Sequence, residues 1–138
     1  MTIKILDEKI INIWFSDNRI YIKTDKNKVL DRPLEAFPLL KDASDQERQH
    51  FEIGLYGDDV HWRDIDEDIC IDSFFEKQEP DYNNDTAKLL KQYPKADIME
   101  VANAVGINKT LMQKYIYGIK QPSKTRFDKI ASVLSNLA

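Results

Sequence analysis

The chain contains a single cysteine, Cys70, so it can form no internal disulfide. A lone thiol suits a reducing compartment, and a cytoplasmic location is expected. Histidine is almost as scarce: only His50 and His61 occur, with Cys70 nine residues beyond the second. Neither His-x-x-x-His nor Cys-x-x-Cys spacing is present, so zinc has no ligand frame and no metal site is expected. The four glycines, at 54, 57, 106 and 118, stand in no GxGxxG or P-loop frame, which removes the commonest phosphate cradles. Apolar runs are only a few residues long, Ile10-Ile11 being typical, too short to span a bilayer. The opening MTIKILDEKI lacks the basic start and apolar stretch of a signal peptide. The acidic series Asp58, Asp59, Asp64, Asp66, Glu67, Asp68 and Asp72 lacks the order of an EF-hand loop and reads as a solvated hairpin rim. No catalytic residue, no cofactor and no enzymatic activity are expected from this inventory.

The 138 residues are 42% hydrophobic and 32% charged, a globular rather than a disordered composition. The net charge of −4 conceals an asymmetry. Residues 1–84 carry 11 Lys/Arg against 20 Asp/Glu, whereas residues 85–138 carry 9 Lys/Arg against 4 Asp/Glu. An acidic front and a basic tail point to two units with different partners, the basic one a candidate for a polyanion.

The front reads as short strands. TIKIL and KIINIWFS flank Asp7-Glu8, and RIYIKT follows a turn at Asp17-Asn18; Ile20 and Ile22 alternate with Tyr21 and Lys23 at period two. A three-stranded meander is the expectation. PLEAFPLLKDAS and DQERQH then read as an interrupted helical segment broken at Pro38. FEIGLY and VHWRDI form a hairpin around Gly57-Asp58-Asp59, and DICIDSFF closes the unit as a short helix or turn. Trp14 and Trp62 are assigned to the core, where a small unit most needs large apolar side chains. The polar stretch Glu76–Asp85, containing Pro80, has no period. The predicted organisation is an α+β domain over 1–80 (β-meander, helix, β-hairpin), a linker at 81–84 and an all-α domain over 85–138.

In the tail, Asn84 or Asp85 caps a first helix ended by Pro94. Asp97 and Glu100 open a second, whose Ile98, Val101, Ala102 and Val105 form one apolar stripe. Gly106 ends that helix, Asn108 caps a third, and Met112 and Tyr115 face inward. An alanine, a glycine four residues on, then an apolar residue and two later inward positions is helix-turn-helix spacing. It leaves Asn108, Lys109, Thr110, Gln113, Lys114 and Tyr117 on the remaining face of the third helix. Gln and Asn can pair with adenine, Lys can reach guanine or phosphate, and Thr can meet a thymine methyl.

With Ala102, Gly106-Ile107, Tyr115, Gly118, Pro122-Ser123 and the closing RFDKIASVL, residues 85–138 resemble the lambda-repressor-like (Xre-type) helix-turn-helix family. Asp97-Ile98 replaces a Thr-Gln pair common there, and Ile116 replaces a common Glu. The resemblance implies that Thr110, Gln113, Lys114 and Tyr117 face bases. Lys95, Lys120, Lys124 and Arg126 are the candidate phosphate contacts. Double-stranded DNA is the implied partner, bound by a homodimer on a palindromic site. Phe15-Ser16-Asp17-Asn18, Pro33-Leu34, Trp62 and Asp68-Ile69 make residues 1–80 similar to a second family, DUF 2442. That resemblance implies a meander–helix–hairpin fold without an established activity. It also suggests an alternative, in which the acidic front binds a small partner protein encoded nearby, antitoxin-fashion. A ligand-sensing front domain stays open as a third reading.

Overall fold

The computed structural model describes residues 8–137, and the chain divides between Lys77 and Gln78 into two compact units. In the first, β1 (Ile10–Ser16), β2 (Arg19–Thr24) and β3 (Val29–Pro33) form an antiparallel sheet in chain order. Asp17 and Asn18 join the first two strands with φ of 53° and 62°. Two left-handed residues make the hairpin turn whose twist matches the strands, and short Asp and Asn side chains tolerate that backbone. Ile20, Ile22 and Thr24 point inward while Arg19, Tyr21 and Lys23 stay partly exposed.

Two expectations change in this sheet. The TIKIL strand lies outside the described residues, and the third strand of the meander is β3. VLDRP shows no apolar alternation because Arg32, 2% exposed, takes a core-facing place. Pro33 is tolerated at the end of an edge strand, where no ladder N–H is required of it. Trp14, expected in the core, stands instead on the opposite face. It pairs in register with Tyr21, and the two rings stack 5.6 Å apart at 5°. Period-two geometry requires this once Ile13 is turned inward.

A 3-10 turn at Leu34–Ala36 leads to α1 (Pro38–Lys41), which Pro38 opens at the one helical position that suits it. Helix α2 (Asp45–Gln49) starts from a capping box: Ser44 Oγ accepts the Glu47 N–H at 3.1 Å, and Glu47 Oε1 accepts the Ser44 N–H at 2.8 Å. A second antiparallel sheet follows, β4 (Phe51–Ile53), β5 (Asp59–Trp62) and β6 (Glu67–Cys70). The expected hairpin is β4–β5. The expected closing segment, 68–75, is a 3-10 helix over Ile71–Phe75, but its first three residues belong to a third strand, Glu67–Cys70. Only Ile69 of its four residues is buried, so it carries no readable period. Its pairing with β5, from Asp59 opposite Cys70 to Trp62 opposite Glu67, supplies what the period lacks.

Trp62, fully buried, ties these parts together. Its ring meets Phe15 of β1 at 6.5 Å and Phe51 of β4 at 6.2 Å, and its Nε1–H donates to the Arg48 carbonyl at 3.0 Å. Arg48 in turn donates to the Leu40 and Lys41 carbonyls at 2.8 and 2.9 Å, fastening α2 to α1.

Glu8 sits at the rim of the first sheet, 5% exposed. The Thr24 hydroxyl, donating at 2.7 Å, and then the Lys28 ammonium at 2.9 Å hold its carboxyl below the usual glutamate range. A depressed folded-state pKa stabilises the fold above the unfolded value, about 4.3. That contribution is lost as pH falls through the depressed value. The melting temperature of wild type should therefore fall more between neutral pH and pH about 3 than that of Glu8→Gln. Trp fluorescence reads this transition in the N-terminal unit alone, since both tryptophans, Trp14 and Trp62, lie there.

The second unit is helical: α3 (Asp85–Lys91), α4 (Ile98–Val105), α5 (Lys109–Tyr117) and α6 (Lys124–Leu137). Val101, Ala102, Val105, Met112, Tyr115, Ile130 and Leu134 form its core. Side-chain oxygens cap all four helices: Asn84 accepts the Ala87 N–H at 2.9 Å, Asp97 the Met99 N–H at 2.8 Å, Asn108 the Leu111 N–H at 2.8 Å, and Ser123 the Arg126 N–H at 3.1 Å. Helices α4 and α5 both end in left-handed glycines, Gly106 (φ 92°) and Gly118 (φ 77°). In each case the next N–H closes the helix end, Ile107 onto the Ala102 carbonyl and Ile119 onto that of Lys114, both at 3.0 Å.

Candidate nucleic-acid interface

Helices α4 and α5 are joined by Gly106, Ile107 and Asn108. Ala102, fully buried on α4, and Met112 and Tyr115 on α5 fill the crossing. With Met112 and Tyr115 inward, helical geometry turns Thr110, Gln113, Lys114 and Tyr117 to the opposite side, at i, i+3, i+4 and i+7. The six proposed base-facing residues are not equally available. Asn108 spends its Oδ1 on the cap and on the Thr110 hydroxyl, which donates at 2.8 Å. Lys109 is exposed, and Lys114 and Tyr117 are half-buried. Gln113 is the most enclosed, 9% exposed, with its Nε2 at 3.5 Å from the Tyr117 hydroxyl.

The proposed phosphate contacts fall in two places. Lys120 and Lys124 line one polar groove of about 490 Å³, together with Asn83, Asn84, Gln121 and the acidic residues Asp81 and Asp85. Lys124 also pairs with Asp128 at 3.0 Å. Arg126, beside them in sequence, donates from Nη1 to the Tyr115 hydroxyl at 3.1 Å, linking α6 to the core end of α5. Lys95 is elsewhere, at a smaller apolar groove with Tyr93, Pro94, Leu134 and Leu137.

The sequence reading missed a third group. Tyr82 lays its ring edge against Tyr117, centroids 5.7 Å apart at 65°. Both tyrosines line an open groove of about 540 Å³ with Lys91, Ile98, Gln113 and Ile116. An aromatic residue inside an otherwise polar, aperiodic stretch was the available signal.

In the N-terminal unit the histidines pair separately, His50 Nδ1 with Asp64 at 2.8 Å and His61 Nδ1 with Asp68 at 2.6 Å. Among the described residues no three His, Cys, Asp or Glu stand together as a metal-holding group, and no helix is long and apolar enough to cross a membrane.

The family profile described as "Protein of unknown function (DUF2442)" matches residues 10–80. No curated protein matches the chain. Among solved structures, the chain is similar to the "Putative DNA Binding Protein NE0471 from Nitrosomonas europaea ATCC 19718" at 13% identity, over 94% of this chain and 88% of that one. The TM-score is 0.39.

Proposed function

The chain belongs to the DUF2442 family through residues 10–80, and from that premise we propose that its helical unit is a lambda-repressor-like helix-turn-helix that reads duplex DNA. The observation that carries this reading is α5. One side is locked into the core by Met112 and Tyr115, while the other offers Lys109, Thr110, Lys114 and Tyr117 in a unit whose charge is predominantly basic. Lys109 and Lys114 reach base edges or phosphates from the major groove, and Thr110 meets a thymine methyl. Gln113 orders Tyr117 and contributes at closer range. Lys120, Lys124 and Arg126 fix register on the backbone, and Lys95 reaches a separate phosphate. A homodimer on a two-fold site gives the specificity that one small module lacks. The role is that of a cytoplasmic transcriptional regulator without enzymatic activity.

Fluorescence anisotropy on DNA from upstream of its own gene, beside unrelated DNA, tests the proposal. The upstream DNA should bind at least tenfold more tightly, and Lys109→Ala with Lys114→Ala should erase that preference while leaving salt-sensitive background binding. No binding to either DNA at low salt would remove DNA recognition as the function.

A second reading concerns the acidic unit. At the β4–β5 tip, Leu55 is 90% and Tyr56 69% exposed, beside Asp58 and Asp59. An apolar pair set among carboxylates favours a small basic protein as partner. Co-purification of such a protein with wild type, lost on Leu55→Ser with Tyr56→Ser, checks it. The two readings are compatible, as in a partner-binding protein that represses its own operon.

A further inference from the structure

Residues 81–84 are built onto the last turn of α5. The Asp81 N–H donates to the Tyr117 carbonyl at 2.8 Å. The Asn84 amide donates to the Ile116 carbonyl at 2.8 Å and to the Asp81 carbonyl at 2.7 Å. The two α5 carbonyls lie in a last turn, which leaves such groups without intrahelical donors. Asn84 meanwhile caps α3 with its oxygen, so one side chain fastens the start of α3 to the end of α5. The backbone of Asp81 lies against Gly118 so closely that no Cβ would fit there. This holds the segment in place on both sides of Tyr82.

Tyr82 is consequently fixed against Tyr117 while remaining 48% exposed. The groove they wall is lined also by Ala87, Leu90, Ile98 and Ile116, and among the described residues no acidic one lines it. Lys91, from the last turn of α3, is its charged lining group. A phenol hydroxyl, an ammonium and an apolar lining beside a groove-reading helix match the sugar–phosphate edge of a duplex: donors for phosphate oxygens, and aliphatic surface for deoxyribose.

We propose that Tyr82 and Lys91 are further DNA-contact residues, the groove between α3 and α5 seating the backbone of the strand whose bases α5 reads. This rests on the DNA reading of the helical unit. It adds two contacts from outside the two helices of the motif, one of them from the segment that precedes α3. The Tyr82 hydroxyl donates to a phosphate oxygen, and Lys91 neutralises a phosphate and releases its counterion.

The test uses the full chain and duplexes that wild type enriches from a random-sequence pool, with anisotropy over a salt series. Lys91→Gln should flatten the slope of log K against log salt by about 0.9. Tyr82→Phe keeps the ring but should weaken binding about tenfold, with the slope unchanged. Both variants should melt as wild type does, a result that a purely structural role for the hydroxyl or the ammonium would not give together with those losses. If wild type enriches a sequence and both variants bind it with wild-type affinity and slope, the groove contacts are overturned and the DNA reading stands. If wild type enriches nothing and binds no duplex, the DNA reading falls and takes this inference with it.

Discussion

Trp62→Ala is expected to destabilise the N-terminal unit severely, up to unfolding it at room temperature. The side chain is fully buried, and it contacts Phe15 of the first sheet, Phe51 of the second and, through its N–H, the carbonyl of Arg48 on α2. Truncating a buried aromatic costs about 3–5 kcal/mol in lost transfer and cavity terms. A unit of some seventy residues holds roughly 4–10 kcal/mol in total. The substitution thus removes from about a third to all of that stability. Trp14 remains as a fluorescent reporter in the same unit, so the loss of its cooperative transition is the readout. The helical circular dichroism of the second unit provides the internal control, since its core shares none of these residues. Trp62→Phe should cost less, about 1–3 kcal/mol, because a six-membered ring stays in place while the pyrrole half and its bond to Arg48 are lost. A drop of less than about 5 °C for the alanine variant would mean that the two sheets do not depend on this ring.

How far such features could be read beforehand depended on whether the local pattern and the tertiary role agreed. Ile20 and Ile22 alternate with Tyr21 and Lys23, and β2 follows that alternation. The apolar stripe of Ile98, Val101, Ala102 and Val105 lies on α4, with the last three buried. Strands β3 and β6 were illegible for a shared reason. Each is a short edge strand carrying charged residues, Asp31 and Arg32 in one, Glu67 and Asp68 in the other, and register with a neighbour defines it. For Trp14, size argues for the core and parity against it: the strand's period puts it beside Tyr21, where two large rings stack. At the candidate interface, spacing alone found the outward stripe of α5. It could not show that Gln113, on that stripe, is enclosed to 9% exposure. Nor could it show that Asp81, Tyr82 and Asn84 pack on α5. Asn84 was read as a cap for α3, which uses only its oxygen; its amide finds a carbonyl thirty-two positions away.

The two left-handed glycines provide a comparison in which sequence role is the same and surroundings differ. Gly106 and Gly118 end α4 and α5 with φ of 92° and 77° and equivalent closing bonds. An alanine at either position pays for the left-handed backbone, about 1–2 kcal/mol. At Gly106 nothing more is expected, since a methyl there would meet nothing within 4 Å. At Gly118 the methyl would overlap the Asp81 carbonyl and stand 2.9 Å from its nitrogen. These are backbone atoms, which cannot rotate aside as a side chain can. Relief requires moving residues 81–84, breaking the Asp81 bond to Tyr117 and the Asn84 bond to Ile116, each worth about 1 kcal/mol. Gly118→Ala should then cost roughly 3–4 kcal/mol against about 1–2 for Gly106→Ala. At about 4–8 °C per kcal/mol, the helical transition should fall by some 15 °C or more in the first and by about half that or less in the second. Equal shifts would show that residues 81–84 contribute nothing to the helical unit, and that Tyr82 is not held on α5 by the bonds around it. The predicted inequality would instead establish that the end of α5 is a structural joint, so that the surface offered beside Tyr117 is made jointly by the helix and the segment ahead of α3.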